Sequence, residues 1–247
     1  MRYNFFYTIL LPLLVLFSLL VEIRAQSVDS LPEQLVTNQI WIDFYPNFFI
    51  NEKLQYYGDA GFRTIADEQS WNRFYVRPSI RYHMNQTISF QGGLGFFYIY
   101  NKYNINRFEI TPWQGVQIKW PNLSIFDVKH LGKIEERYSV QTANSSSSFN
   151  LRLRYKMSGN FDVWDIQVFK SLYVPFYIEL FYPLNDNIEE FYRNKTRFGA
   201  GLGYKISRAW DVAFIFNMQS SRAGPNDELN VSDYAYQLKI KRRWEKK

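Results

Sequence analysis

The sequence predicts an all-β protein, a transmembrane up-and-down antiparallel β-barrel of about 12 strands, in a range of about 10–12. Three observations carry this expectation. In Arg73-Phe74-Tyr75-Val76-Arg77-Pro78-Ser79-Ile80-Arg81-Tyr82, polar and apolar residues alternate strictly, the mark of a strand whose two faces meet different surroundings. The same period of two returns along most of the 247 residues. Aromatic residues form 19% of the chain (22 Phe, 19 Tyr and 7 Trp), and on the apolar face they gather at strand ends.

The N-terminus supplies the one long apolar run, Phe5 to Val21. A helical membrane bundle needs several runs of about 20 apolar residues and is excluded. Arg2 before the run and Ile23-Arg24-Ala25 after it make residues 1–25 an expected export signal, cut before Gln26. Removal takes away Arg2, Arg24 and Glu22 and lowers the net charge of +6 by one. Residues 26–38, with Pro32, read as a polar periplasmic leader, and 39–247 as the barrel. Cysteine is absent, which excludes disulfides, thiolate metal sites, a Cys nucleophile and a lipidated cysteine.

The alternation defines eleven strands. The first, near 39–46, sets Ile40, Ile42 and Phe44 against Trp41, Asp43 and Tyr45. The second, 54–63, ends in Gly61-Phe62-Arg63, and the third is the Arg73–Tyr82 stretch. A fourth at 87–99 and a fifth at 107–120 follow. The sixth, 126–138, places Lys133, Glu135 and Arg137 on one face, but Glu136 interrupts the apolar one. The seventh, 149–157, alternates most cleanly: Phe149, Leu151, Leu153, Tyr155 and Met157 oppose Asn150, Arg152, Arg154 and Lys156. The eighth (173–182), ninth (195–206), tenth (210–219) and eleventh (233–244) complete the set. Bacterial single-chain barrels use an even number of strands, so a twelfth is expected from 28–36 or 161–169. Short connections near 83–86, 121–124 and 207–209 alternate with longer polar ones near 101–106, 139–148, 183–192 and 220–232, as in outer-membrane barrels.

Alternation also occurs in soluble barrels, with the apolar face inward. Two features turn it outward here. Tyr82, Trp120, Tyr155, Tyr204 and Trp210 lie beside short connections, and Phe62, Phe74, Tyr98, Phe108, Tyr138, Tyr182 and Tyr234 lie toward the other end. Aliphatic residues between these two girdles match an apolar band bounded by two interfaces. In addition, eleven rows of bulky apolar side chains exceed what a small soluble barrel can hold.

These strands resemble an uncharacterised family of outer-membrane barrels, domain of unknown function 2490, common in Bacteroidetes-type bacteria. The resemblance rests on Trp41, Gly61-Phe62-Arg63, Lys133-Ile134-Glu135-Glu136-Arg137, Leu151-Arg152-Leu153-Arg154-Tyr155, Glu179 and Arg197-Phe198-Gly199-Ala200-Gly201-Leu202-Gly203-Tyr204. It implies a barrel and no known activity. Such barrels commonly end on an aromatic, whereas here Trp244 is followed by Glu245-Lys246-Lys247.

The polar face carries the candidate site, a charge network in the lumen: Arg63, Arg73, Arg77, Arg81, Glu135, Arg137, Arg152, Arg154, Glu179 and Arg197. Two readings follow. Paired Arg and Glu fill a narrow interior, or a cationic lining favours small anionic solutes. Glu135 and Glu179 are the expected partners of Arg137, Arg152, Arg154 and Arg197. A lipase- or protease-like barrel enzyme, or a loop-mediated binding protein, is the alternative. The chain is expected not to be an enzyme, since its two histidines, His83 and His130, stand apart from any nucleophile signature. Gly199, Gly201 and Gly203 face inward as a smooth wall against arginines. No cofactor, metal or nucleic-acid partner is expected. The expected surroundings are outer-membrane lipid and anionic lipopolysaccharide, which Arg193 and Arg222 could face.

Overall fold

A computed structural model describes residues 36–66, 71–102, 105–121, 126–162, 171–185, 193–222 and 230–244. The export signal, nearly all of the leader and residues 163–169 of one candidate for a twelfth strand lie outside this set. Every regular element described is a strand. They are β1 (Thr37–Phe49), β2 (Leu54–Tyr57), β3 (Asp59–Ile65), β4 (Trp71–Arg77), β5 (Ser79–His83), β6 (Ile88–Asn101) and β7 (Arg107–Lys119). The remainder are β8 (Phe126–Gln141), β9 (Ser147–Asp162), β10 (Leu172–Pro183), β11 (Arg193–Lys205), β12 (Trp210–Arg222) and β13 (Asn230–Trp244).

Two pairs of these segments are halves of single staves. β1 pairs with β2 at Asn47↔Tyr57 and with β3 at Phe44↔Ala60, in one unbroken register across Gly58. β4 and β5 likewise keep one register against β6 on either side of Pro78. Proline has no N–H to donate to the ladder, which accounts for the break. The sheet is therefore eleven staves in sequence order, within the expected range. It closes without a twelfth strand.

Closure takes a form that the expected antiparallel pattern lacks. With an odd number of alternating staves, the first and last run in the same direction. β1 and β13 accordingly pair in parallel over Thr37↔Asp233 to Phe48↔Trp244, while the other pairings are antiparallel. Parallel ladders are slightly less stable per residue, and here the join is long and reinforced by side chains. Asp233 accepts hydrogen bonds from Thr37 (2.5 Å) and Gln39 (2.9 Å), and Gln237 donates to Asp43.

The pairings also set the size of the barrel. Followed once around, they return to β1 displaced by about 14 residues, which for eleven staves gives a tilt of about 40° and a backbone radius of about 11 Å. Eight strands are filled by side chains and sixteen leave a channel. An eleven-stave interior lies between, so the size of its lining residues decides whether it is open.

Burial is inverted relative to a soluble protein. Ile42, Phe74, Phe90, Phe198, Leu202 and Phe214 are exposed, Phe74 at 52%, while Asp43 and Glu179 are 0% exposed. The predicted girdle residues Tyr82, Trp120, Tyr155, Tyr204 and Trp210 at one end are exposed, as are Phe74, Tyr98, Phe108, Tyr138 and Tyr182 at the other. An apolar outer wall around a charged interior is the arrangement of a membrane-embedded barrel. The irregularity at Glu136 is accommodated on that wall by a hydrogen bond from Gln114 at 3.3 Å.

Two details differ from the sequence reading. The connection expected at 139–148 shrinks to residues 142–146, because its serines enter the ladder: Ser139 pairs with Ser148 and Val140 with Ser147. Of the inward glycines of β11, Gly199 and Gly203 face tyrosines, not arginines, and Gly201 faces the backbone of Phe214 and Ile215. A Cβ on Gly199 would lie 2.4 Å from the Tyr177 ring, and one on Gly203 would lie 2.2 Å from the Tyr173 ring. Both tyrosines are direct cross-strand partners, packed over glycine where no side chain competes.

Candidate functional site: the charged lumen

Alternation places every predicted site residue on the inner wall, and register decides which of them meet. Glu135 on β8 stands opposite Arg152 on β9. Glu179 on β10 stands opposite Arg197 on β11. These pairings bring acid and base together before any side chain adjusts.

Two carboxylates form the centre. Glu135 accepts from Arg152 Nε (2.8 Å) and Nη2 (2.5 Å), from Arg154 Nη1 (3.1 Å), and pairs with Lys133 at 2.7 Å. Glu179 accepts from Arg154 Nε at 2.6 Å and Arg197 Nη1 at 3.0 Å, with Lys156 Nζ at 3.8 Å. Arg154 thus bridges the two acids. Arg197 also donates through Nε (2.9 Å) and Nη2 (2.6 Å) to Gln219. Aromatic rings fill the gaps between guanidinium planes: Trp41, 1% exposed, lies 4.0 Å from Arg63 Cζ and 4.8 Å from Arg197 Cζ. Phe181 lies 4.9 Å from Arg154 Cζ.

Arg137 departs from its expected partners. It binds neither Glu135 nor Glu179 but Glu109, through Nε at 3.2 Å and Nη2 at 2.7 Å. Glu109 on β7 stands opposite Ser139, two residues on from Arg137, which makes it a diagonal cross-strand neighbour. Arg73 approaches the same Glu109 at 3.9 Å. Arg63 pairs with Asp43 at 3.9 Å, and Asp43 also accepts from Tyr75 at 2.5 Å. Arg77 pairs in a two-pronged fashion with its cross-strand neighbour Asp59. Arg81 reaches the amide oxygens of Gln55 (3.4 Å) and Gln117 (3.2 Å) and covers the Tyr57 ring at 3.9 Å.

The ten predicted residues therefore do not form one cluster. Nine lie in a paired layer across the barrel, and Arg81 lies nearer the end with the connections at 84–87 and 206–209. Between the guanidiniums of the layer only about 40 Å³ is unfilled, in a gap lined by Arg63, Arg73, Arg152, Arg154 and Arg197. Toward the Arg81 end the lumen opens into a cavity of about 480 Å³, whose wall includes Lys129, Lys156, Lys239, Lys241 and Arg243. Asp43, Glu109 and Asp59, acids that alternation also puts on the polar face, complete the pairing; their partners were not legible, because alternation gives the face of a residue but not its height.

Each histidine has a hydrogen-bond partner on a neighbouring strand. His83 shares a 2.9 Å hydrogen bond with Gln55, and His130 shares a 2.6 Å bond with the Tyr155 hydroxyl beside a stacked Trp120. Among the described residues no three His, Asp or Glu side chains converge as a metal site would require.

A family model described as protein of unknown function (DUF2490) matches residues 38–230. No curated protein matches the chain. Among solved structures, the chain is similar to an anion-selective porin from Comamonas acidovorans at 13% identity and a TM-score of 0.35. That match covers 75% of this chain and 54% of the porin, so the chain spans about half of the porin's length. It is also similar to the translocator domain of the autotransporter NalP from Neisseria meningitidis, at 11% identity, a TM-score of 0.40 and 70% coverage of each chain.

Proposed function

The chain belongs to the DUF2490 family, and we propose that it is an outer-membrane barrel whose lumen is closed by its own Arg/Glu layer. It holds solutes at one mouth instead of passing them, and it does so without catalysis. The short connections face the periplasm, following the usual orientation of such barrels. The observation that carries this reading is the narrow central gap, where Arg63 and Arg73 from β3 and β4 meet Arg152, Arg154 and Arg197 from β9 and β11 on the facing wall. A diffusion pore needs a water path between its charged walls. The residual gap of about 40 Å³ has room for roughly one or two waters.

The test is single-channel conductance of the full-length protein in a planar bilayer under a salt gradient. The unaltered protein is expected to stay silent. The paired variant Arg154→Ala/Glu179→Ala removes both bridging groups without leaving either charge alone, and it should open steady conductance steps. Porin-like steps in the unaltered protein, with anion preference, would overturn the closed-lumen reading in favour of a cationic pore.

A further inference from the structure

We infer that the cavity at the short-turn mouth is a binding site for a small soluble polyanion of the phosphate-ester or pyrophosphate class, held by Arg81, Lys239 and Lys241. The inference rests on the closed-lumen reading, which makes the cavity a blind cup instead of a passage.

The charges along the lumen are sorted. In the central layer Glu109, Glu135 and Glu179 are each shared by two or three cations, and Asp43 and Asp59 take one each. At the mouth, Lys129 has Asp127 at 3.1 Å, Lys205 has Asp162 at 3.0 Å, and Arg243 has Asp211. Arg81, Lys239 and Lys241 differ: among the described residues, no carboxylate oxygen lies within 4.0 Å of any of them. They are also gathered. Lys239 and Lys241 share the inner face of β13, and Arg81 projects from β5, with β1 and β2 between them. Those two staves contribute Tyr45, 4.5 Å below Lys239 Nζ, and Tyr57, 3.9 Å below the Arg81 guanidinium. Arg81, Lys239 and Lys241 all line the one cavity.

Like charges held together against a closed wall repel, and filling the barrel does not require them. Neutral side chains of similar length would fill the space without that cost. A bound anion of two or more charges offsets it. The chemistry of the wall favours phosphate: a planar fork of guanidinium donors, two ammonium groups and two phenols line one cavity, and charged N–H donors of these kinds pair with phosphate oxygens. About 480 Å³ suits a small molecule, and the continuous ladder between the staves closes the cup to lipid chains from the side.

The experiment is calorimetric titration of inorganic pyrophosphate into the full-length protein in nonionic detergent at constant ionic strength. One saturable site is expected. Lys239→Gln/Lys241→Gln should weaken it at least tenfold, Arg81→Gln should weaken it comparably, and Lys53→Gln, in the turn before β2, should leave it unchanged. Heat-modifiable migration on gels confirms that each variant is folded, and the single Lys241→Gln serves if the double variant is not. Absence of saturable binding, or equal affinity in the folded lysine variants, overturns the site. Displacement of pyrophosphate by phosphatidylglycerol in the micelle overturns the assignment to a soluble ligand and gives the site to a lipid headgroup. Conductance on the same preparation separates the two readings. A protein that conducts yet binds saturably removes the closed lumen and leaves the site standing. A silent protein that does not bind removes the site alone.

Discussion

Replacing Glu179 by Ala should be the most damaging single change in the lumen. Its carboxylate is 0% exposed and receives Arg154 at 2.6 Å and Arg197 at 3.0 Å, with Lys156 at 3.8 Å. Each such contact carries a gross attraction of about 4 kcal/mol at an effective dielectric near 20. Much of that already offsets the desolvation of the ions, so the net loss on removing one partner is about 3–5 kcal/mol. Arg154 keeps Glu135 and Arg197 keeps Gln219, which places the expected value toward the lower end, about 3 kcal/mol. Glu179→Gln retains acceptor geometry and should cost less. The assay is urea unfolding in lipid vesicles, followed by tryptophan fluorescence, with Arg154→Ala and the double variant completing a cycle. The double variant should be more stable than the sum of the singles by about 2 kcal/mol. Added salt should not reproduce the loss in the unaltered protein, because buried pairs are poorly screened. A Glu179→Ala variant within 1 kcal/mol of the unaltered protein, with additive doubles, would show that the layer fills space without holding the barrel together.

Two other outcomes follow from the outer wall and the closing seam. Phe214→Arg, on the lipid-facing side of β12 midway between Trp210 and Met218, should destabilise by roughly 2–4 kcal/mol in the same vesicle assay. A neutral result there would contradict the outward apolar face. Asp43→Ala removes the acceptor shared by Tyr75, Gln237 and Arg63, and it should raise hydrogen exchange first in β1 and β13. Loss of protection spread evenly around the barrel would mean that the seam is no weaker than the antiparallel joins.

Much of the fold was legible because the hydrocarbon imposes a one-residue rule. Phe149, Leu151, Leu153 and Tyr155 point outward, Asn150, Arg152 and Arg154 point inward, and a slip of one residue would turn every arginine into lipid. The eleven strands were legible in the alternation for the same reason, apart from the breaks at Gly58 and Pro78, whereas the twelfth expected from the even-number rule is not part of the closed sheet. The parallel seam was not legible. Nothing within residues 39–46 or 233–244 says that they meet, since parallel and antiparallel neighbours of a barrel wall share one alternating pattern. The residue pairs were partly legible. Glu135 with Arg152 and Glu179 with Arg197 follow once strands are paired, but Arg137 with Glu109 depends on stagger between staves, which turns and shear determine together. The roles of Trp41 and Phe181 were hidden for a simpler reason: aromatic residues on a polar face look like exceptions until guanidinium planes are seen against them.

The stave number gives these choices their weight. In an eight-strand barrel almost any set of inward side chains fills the interior, and in a sixteen-strand barrel none does. Near eleven, side chains from facing walls meet only when they lie at compatible heights, as Arg63 and Arg73 do with Arg152, Arg154 and Arg197 around the central gap. The interior can then be dense at one level and open at the next with no change in the backbone. On the closed-lumen reading, cations that share carboxylates occupy the closed level, and Arg81, Lys239 and Lys241, with no carboxylate beside them among the described residues, line the open one. The closed level contributes stability, because breaking any of its pairs strands an ion in a poorly solvated place. The open level contributes none by that route, because Arg81, Lys239 and Lys241 repel one another. Removing their charge should therefore leave the folded barrel at least as stable while it abolishes pyrophosphate binding, the opposite of the outcome for Glu179.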